Sequence, residues 1–161
     1  MIDQSRWRTL MGHWATGVSV VTSQGDAGPR GATANALTSL SLDPLLLLVC
    51  FDRASNTLQA IRTSGRFAVN VLATTQEDVA RRFALKEPED QKFREVAYAL
   101  SHETPVIDGA LAWVVCRVEE ELRGGDHAIV IGAPLDGDVA EGLEPLLFYR
   151  GSYLRLGGDA I

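Results

Sequence analysis

Histidine and cysteine are scarce in this chain, basic residues are outnumbered, and long apolar runs are missing. No stretch approaches the length needed to cross a bilayer. The N-terminus sets Asp3, Arg6 and Arg8 in a tryptophan-bearing amphipathic segment and lacks the continuous apolar core of a secretory signal. The expected compartment is the cytoplasm. Only two cysteines occur, Cys50 and Cys116, each inside an apolar, strand-like run, so buried free thiols are expected rather than a disulfide. His13, His102 and His127 stand far apart, and none pairs with a cysteine at metal-ligand spacing; no metal centre is expected. Lysine and arginine total 15 against 21 acidic residues, a formal net charge of −6. That balance argues against a nucleic-acid backbone as the main partner, because such binding needs a basic face.

Several catalytic signatures are absent too. There is no G-x-x-x-x-G-K-[ST] phosphate loop and no G-x-G-x-x-G after a strand, so a nicotinamide nucleotide is not held in the Rossmann manner. There is no G-x-S-x-G nucleophile elbow either. What remains is rich in backbone donors, hydroxyls and aromatics but poor in dedicated acid-base groups. Such a chain suits chemistry carried by an organic cofactor, where protein supplies position and electrostatics. Hydride transfer through a flavin fits that description.

The 161 residues, 46% apolar and 22% charged, suit one soluble domain over 1–161. Residues 3–15 read as a helix, with Asp3 as N-cap and Trp7, Leu10, Met11 and Trp14 at helical spacing. Residues 18–23 form a β-branched strand, and 24–31, crowded with Gly, Pro and Asp, a turn. A strand then runs into Ser41. After the Asp43-Pro44 break, the seven apolar residues Leu45–Phe51 read as a buried strand. Residues 57–65 read as a helix, 66–72 as a strand, and 74–85 as a helix whose Thr74 and Glu77 have capping-box spacing. The charged stretch 86–108 has no decisive pattern. Residues 110–135 read as a long hairpin, and 146–151 with 153–156 finish the sheet. Clustered strands without β-α alternation predict a mainly β fold, an antiparallel sheet closed into a barrel with flanking helices. A doubly wound sheet is the alternative.

Within this frame, Gly31–Phe51 has the makings of a ligand wall. Small hydroxyl and amide residues, Thr33, Asn35, Ser39 and Ser41 among them, feed directly into an apolar strand. Ser55, Asn56 and Thr57 stand at a helix start, where free N–H groups suit a phosphate; simple capping by Asn56 or Thr57 is the competing reading. Arg53 would add charge. Arg82-Phe83 reads either as a cation and aromatic wall or as solvated face and core. Lys92 reads as surface. Asp126 and His127 follow the glycine pair Gly124-Gly125. His127 there reads either as a nicotinamide contact near neutral pH or as a surface histidine beside a turn aspartate. Tyr149 to Tyr153 places two aromatics and Arg150 around Gly151, equally suited to a plain strand-turn-strand.

Taken together, WATGVSVVTS (14–23), GATANALTSLSLDP (31–44), SNT (55–57), SGRFAVNVL (64–72), RRFA (81–84), KF (92–93), GALAW (109–113), GGDHAIVIG (124–132) and PLLFYRGSY (145–153) resemble the flavin reductase family. Its members are the small reductase components of two-component flavin monooxygenases. The resemblance implies a six-stranded antiparallel split β-barrel of FMN-binding type, a homodimer, and hydride transfer from NADH or NADPH to FMN or FAD. It implies a separate monooxygenase as recipient of the reduced flavin. It also implies that Thr33, Ala34, Asn35, Ser39 and Ser41 line the flavin ring and ribityl chain, and that Cys50, Phe51 and Asp52 contribute backbone contacts. Ser55, Asn56 and Thr57 would meet the phosphate, Phe83 would pack near the flavin, and His127 would sit where nicotinamide docks. Tyr153 and Arg150 carry over more weakly. Asp43-Pro44-Leu45 departs from the two prolines of many members. Two other readings stay open: a non-catalytic flavin- or haem-binding module on the same barrel, and an oxidoreductase with tightly held FMN acting on another substrate.

Overall fold

The computed structural model describes residues 1–86 and 88–157; residue 87 and the tail 158–161 of the expected domain lie outside the described residues. Asp3 caps α1 (Gln4–Gly12), its carboxylate accepting from the Arg6 N–H at 2.8 Å. No residue of this helix is buried, and its apolar stripe of Trp7, Leu10 and Met11, continued by Trp14, is between 47% and 71% exposed. A two-residue strand β1 (Thr16–Gly17) leads into β2 (Ser19–Gly25) and β3 (Gly28–Ala34). The turn between these two is only Asp26-Ala27, with Gly25 paired to Gly28. Gly28, at φ +107°, takes the backbone conformation that a side chain disfavours. The segment expected to be all turn is thus mostly strand.

The chain continues as β4 (Leu37–Leu42), β5 (Leu45–Asp52), α2 (Asn56–Ser64) and β6 (Arg66–Val71). A 3₁₀ turn at Thr74–Gln76 precedes α3 (Glu77–Ala84). The expected Thr74–Glu77 box is not what caps it: the Gln76 side chain accepts from the Ala73 N–H at 3.2 Å. The undecided stretch folds as α4 (Glu89–Phe93) and the hairpin β7 (Tyr98–Ser101) and β8 (Thr104–Ile107). Then come β9 (Ala112–Gly124), β10 (His127–Val139), β11 (Leu147–Tyr149) and β12 (Ser152–Leu154).

The principal sheet has seven strands, ordered β3-β2-β6-β9-β10-β5-β4, against the six expected. Every neighbouring pair in it is antiparallel, so the doubly wound alternative does not apply. The edges β3 and β4 are not hydrogen-bonded to each other, so the sheet is not a closed barrel. Those edges are consecutive in sequence, joined by Asn35-Ala36, and Cys50 on β5 donates its N–H to Ala36 O at 3.0 Å. The sheet therefore curls back on itself. Inside the curl, Val21, Val49, Phe67, Val69 and Val130 pack on Leu58 and Ile61 of α2. On the opposite face Val18, Val20 and Leu72 pack on Ala80, Phe83 and Phe93 of α3 and α4. β2 is buried on both faces, which explains its run of apolar and small residues.

One buried polar group locks the β7–β8 hairpin to the sheet. Asn70, fully buried, donates to Val20 O at 2.9 Å and to Thr22 Oγ1 at 3.1 Å, and accepts from the Ile107 N–H at 2.8 Å. Thr22 in turn donates to Pro105 O.

The run Leu45–Phe51 is not the fully buried element expected. Val49 and Phe51 are buried, Leu46, Leu47, Leu48 and Cys50 only partly, and Leu45 is 58% exposed beside Leu42 at 82%. Side chains alternate across a strand, so an apolar run on β5 leaves its second face apolar as well. Among the described residues, no helix is long and apolar enough to cross a membrane. No cluster of metal-ligating side chains occurs among them either. Cys50 and Cys116 are free, and burial pushes the Cys116 thiol up to about 12. At neutral pH it is not a nucleophile.

Candidate functional site

A cavity of about 580 Å³ opens between β3, the start of α2 and the α3–α4 segment. Of the residues singled out in the sequence, it brings together Thr33, Asn35, Asp52, Ser55, Asn56, Thr57, Phe83 and Tyr153. These come from five elements and their connecting loops, and nothing in their spacing alone forces them together.

The floor is backbone. Gly31 and Ala32 of β3 line the cavity with almost no side chain. A Cβ on Gly31 would lie 2.5 Å from Cε1 of Phe83, so glycine is what allows the ring to pack there. Phe83 is itself 1% exposed and meets Phe93 edge-on at 4.9 Å. It is core and cavity wall at once. The Thr33 hydroxyl donates to Ala80 O at 2.6 Å, which ties β3 to α3 and commits that proton away from a ligand.

The N-terminus of α2 lines the cavity as well. Ser55, not Asn56 or Thr57, is its cap, accepting from the Leu58 N–H at 3.4 Å. Asn56 and Thr57 sit on the first turn, with backbone N–H groups that have no partner within the helix. Lys86 lies in the cavity wall with Lys92. Lys92, expected at the surface, is 6% exposed and bonded to Glu89 at 3.2 Å. This pair clasps Gly31 from both sides: the Gly31 N–H donates to Glu89 Oε2 at 3.1 Å, and Lys92 Nζ to Gly31 O at 3.4 Å. β3 is an edge strand, and the clasp satisfies backbone groups that its outer edge would otherwise leave unpaired. Sequence reasoning missed Lys86, Glu89 and these roles for Gly31 and Lys92. The usable signal was a Glu and Lys three residues apart beside the aromatic Phe93.

Phe148 and Tyr153 add an aromatic wall, with ring centroids 5.4 Å apart. The Arg81 guanidinium lies 4.9 Å from the Tyr153 centroid, and burial raises the phenol's pKa. Arg82 points elsewhere, pairing with Glu95 at 2.6 Å. Arg150 sits at φ +50° in the β11–β12 turn and ties it to α1, its N–H donating to Gly12 O at 2.9 Å.

The remaining candidates lie outside this cavity. Phe51 faces the core at 4% exposure, and Cys50 is half-buried on the opposite face of the same strand. Ser39 and Ser41 are on β4, where a register shift between them disturbs the alternation; Ser39 is exposed and Ser41 accepts from the Asp43 N–H at 3.2 Å. Ala34 lines a smaller cavity of about 250 Å³, which shares Val18 and Asn35 with the first. His127 lies opposite Asp52 across the β5–β10 pair, and Asp52 lines the main cavity. His127 is thus one strand away from the cavity. Its Nδ1 is 2.8 Å from Asp126 Oδ1, a bond that holds the Asp126 carboxyl below the usual carboxylate range. Arg53 is drawn to the same turn, its N–H donating to Asp126 O at 3.2 Å.

A cavity with a bare backbone floor, an aromatic wall and a polar helix start is built for a flat ring with an anionic tail. The family described as flavin reductase like domain matches residues 11–157. This chain belongs to that family. Among flavin reductases, the chain is 42% identical over 155 residues to the reductase subunit HsaB of a flavin-dependent monooxygenase from Mycobacterium tuberculosis, a match covering 94% of this chain and 82% of that protein. It is 41% identical over 160 residues to a flavin reductase (NADH) from Kitasatospora aureofaciens, covering 96% and 83%. In structure it resembles the NADH:FAD oxidoreductase SgcE6 of Streptomyces globisporus, solved with NAD and FAD fragments. The TM-score is 0.91 at 37% identity, covering 99% of this chain and 96% of that one.

Proposed function

We propose that this chain is an NAD(P)H:flavin oxidoreductase that supplies reduced flavin to a separate monooxygenase. The observation that carries the reading is the lining of the main cavity, which combines the aromatic pair Phe148 and Tyr153, the nearly bare backbone of Gly31 and Ala32, and the helix start Ser55–Thr57 with Lys86. An apolar ring, a polyol chain and a phosphate need these three kinds of surface. Bound flavin supplies the hydride-accepting ring; FMN and FAD both carry it.

The protein's work is then positioning and electrostatics. The α2 N–H groups and Lys86 hold the phosphate end, while Lys92, paired with Glu89, braces the floor beside it. Asn35, between the two cavities, presents an amide toward the ring's polar edge. His127, held by Asp126, orients the nicotinamide at the rim. No side chain here is asked to break a bond, which agrees with a site poor in acid-base groups.

The same reading extends to assembly and location. The curled sheet is the split barrel of FMN-binding type, with six of its strands forming the barrel proper. The exposed apolar side chains of α1, Leu42 and Leu45 are covered by a second copy of the chain, giving a homodimer that works in the cytoplasm.

The direct test follows NADH and NADPH oxidation by absorbance with FMN, FAD, riboflavin or no flavin added. Oxidation that depends on added flavin is expected. Absence of flavin-dependent oxidation with either nicotinamide would sink the reading, and a yellow protein active without added flavin would make flavin a resident group instead. For His127→Ala, the loss of one hydrogen bond should raise the apparent KM for the nicotinamide about tenfold while leaving that for flavin nearly unchanged. An unaltered nicotinamide dependence removes His127 from the site.

A further inference from the structure

Among the described residues, one buried side-chain oxygen has no hydrogen-bond partner: Oγ1 of Thr16. Buried hydroxyls are nearly always paired, so an orphan of this kind calls for a partner from outside the chain. Thr16 lines the smaller cavity of about 250 Å³, whose apolar walls include Val18, Leu37 and Val71. Two other polar side chains line it. The Ser19 hydroxyl already gives its proton to Ala34 O at 2.7 Å. Asn35, exposed and lining both cavities, presents an amide that donates and accepts. The small cavity adjoins the main one along Val18 and Asn35. Thr16 is also the cross-strand partner of Phe148, part of the main cavity's aromatic wall. Paired residues on antiparallel strands share a face, so Thr16 stands beside that wall.

We propose that the small cavity takes the imide edge of the flavin ring, with Thr16 donating to one of its carbonyl oxygens and Asn35 accepting from its N3–H. The inference rests on the flavin-reductase reading and adds a specificity-determining residue to its site. An imide presents two acceptors around one donor, and a hydroxyl beside a carboxamide complements that pattern. A cavity of this size holds the end of a ring and not a whole nucleotide. The carboxamide of a nicotinamide carries similar groups. His127 lines neither cavity, however, whereas Asn35 and Val18 join the small cavity directly to the one assigned to flavin. The orphan hydroxyl then has a cost and a use: it weakens the empty protein and is satisfied when the ring arrives.

Thermal unfolding without flavin and isothermal titration with FMN, on the intact protein, Thr16→Val and Thr16→Ser, decide the matter. Thr16→Val keeps the branched shape and removes the hydroxyl. Its flavin-free Tm should rise by about 2–4 °C, because a buried unpaired group is gone. Its affinity for FMN should nonetheless fall about tenfold, the loss of one buried hydrogen bond. Thr16→Ser should stay within about threefold of the parent. Two flavin analogues locate the contact on the intact protein: N3-methyl-FMN should bind about tenfold or more weakly than FMN, and 5-deaza-FMN, altered at the neighbouring ring, should bind like FMN. A lowered Tm in Thr16→Val means that the hydroxyl serves the fold, and overturns the proposal. An unchanged FMN affinity there means that water alone satisfies it, with the same consequence. Equal binding of FMN and N3-methyl-FMN, or a loss in Thr16→Ser as large as in Thr16→Val, also overturns it. A rise in the KM for NADH with FMN affinity unaffected assigns Thr16 to the nicotinamide instead. Failure of the intact protein to bind any flavin is a different result, and it defeats the flavin-reductase reading itself.

Discussion

Lys92→Met is expected to destabilise the protein by about 3–5 kcal/mol and to weaken flavin binding with it. Lys92 and Glu89 are an ion pair with side chains only 7% and 9% exposed, so little water remains to solvate either charge. Removing the ammonium leaves the Glu89 carboxylate buried with one Gly31 N–H as its neutral partner. An unpaired buried charge costs far more than the pair contributes as a whole. The Lys92→Met/Glu89→Gln double variant, which removes both charges at similar volume, should therefore recover most of the loss. The effect is local in origin: the clasp joins α4 to the edge strand that floors the cavity, so flavin affinity should fall in the single variant and partly return in the double. Urea unfolding and flavin titration of the three variants measure both quantities. A single variant within about 0.5 kcal/mol of the parent, well below the cost of an orphaned buried charge, would mean that the pair is solvated and no clasp exists.

Gly31→Ala should be the next most damaging change, although it adds one methyl group. The new carbon would sit 2.5 and 2.7 Å from two atoms of the Phe83 ring and 3.3 Å from Phe93. Flexible side chains yield to such contacts, but Phe83 is buried and braced edge-on against Phe93. Overpacking of this kind costs about 1–3 kcal/mol. The ring's available escape is toward the cavity that it lines, so the ligand loses space as the core relaxes. Flavin affinity should drop about tenfold or more, while Ala32→Gly, the neighbouring change that removes bulk, should leave the cavity open. Normal flavin affinity in Gly31→Ala would show that Phe83 is not part of the ligand wall.

Much of the architecture was legible because it rests on local chemistry. Asp3 capped its helix, the β-branched run after Gly17 became a strand, and Gly124 to His127 became the turn of the long hairpin. The failures share a cause. Lys92 was read as surface because a lone lysine in a charged stretch usually is; only the fold supplies Glu89 and the Gly31 backbone around it. Leu45–Phe51 was read as buried because seven apolar residues were counted without knowing which face the sheet would cover. Ser39 and Ser41 were grouped with Thr33 because they follow it in sequence, but β3 and β4 are opposite edges of the sheet. Thr33 does line the main cavity, but its hydroxyl proton goes to Ala80 O.

Sequence by itself determined the mainly β character, the family, and the candidates Asn35, Asp52, Ser55–Thr57, Phe83 and Tyr153 that the fold gathers around one cavity. Periodicity, turn residues and motif order are properties of the chain and survive without coordinates. Tertiary structure decided the rest: that the sheet has seven strands and open edges, that a buried ion pair holds the cavity floor, and that His127 stands one strand away from it. Those facts depend on which distant segments meet. Burial and charge compensation arise only between segments, so no single stretch of sequence carries them.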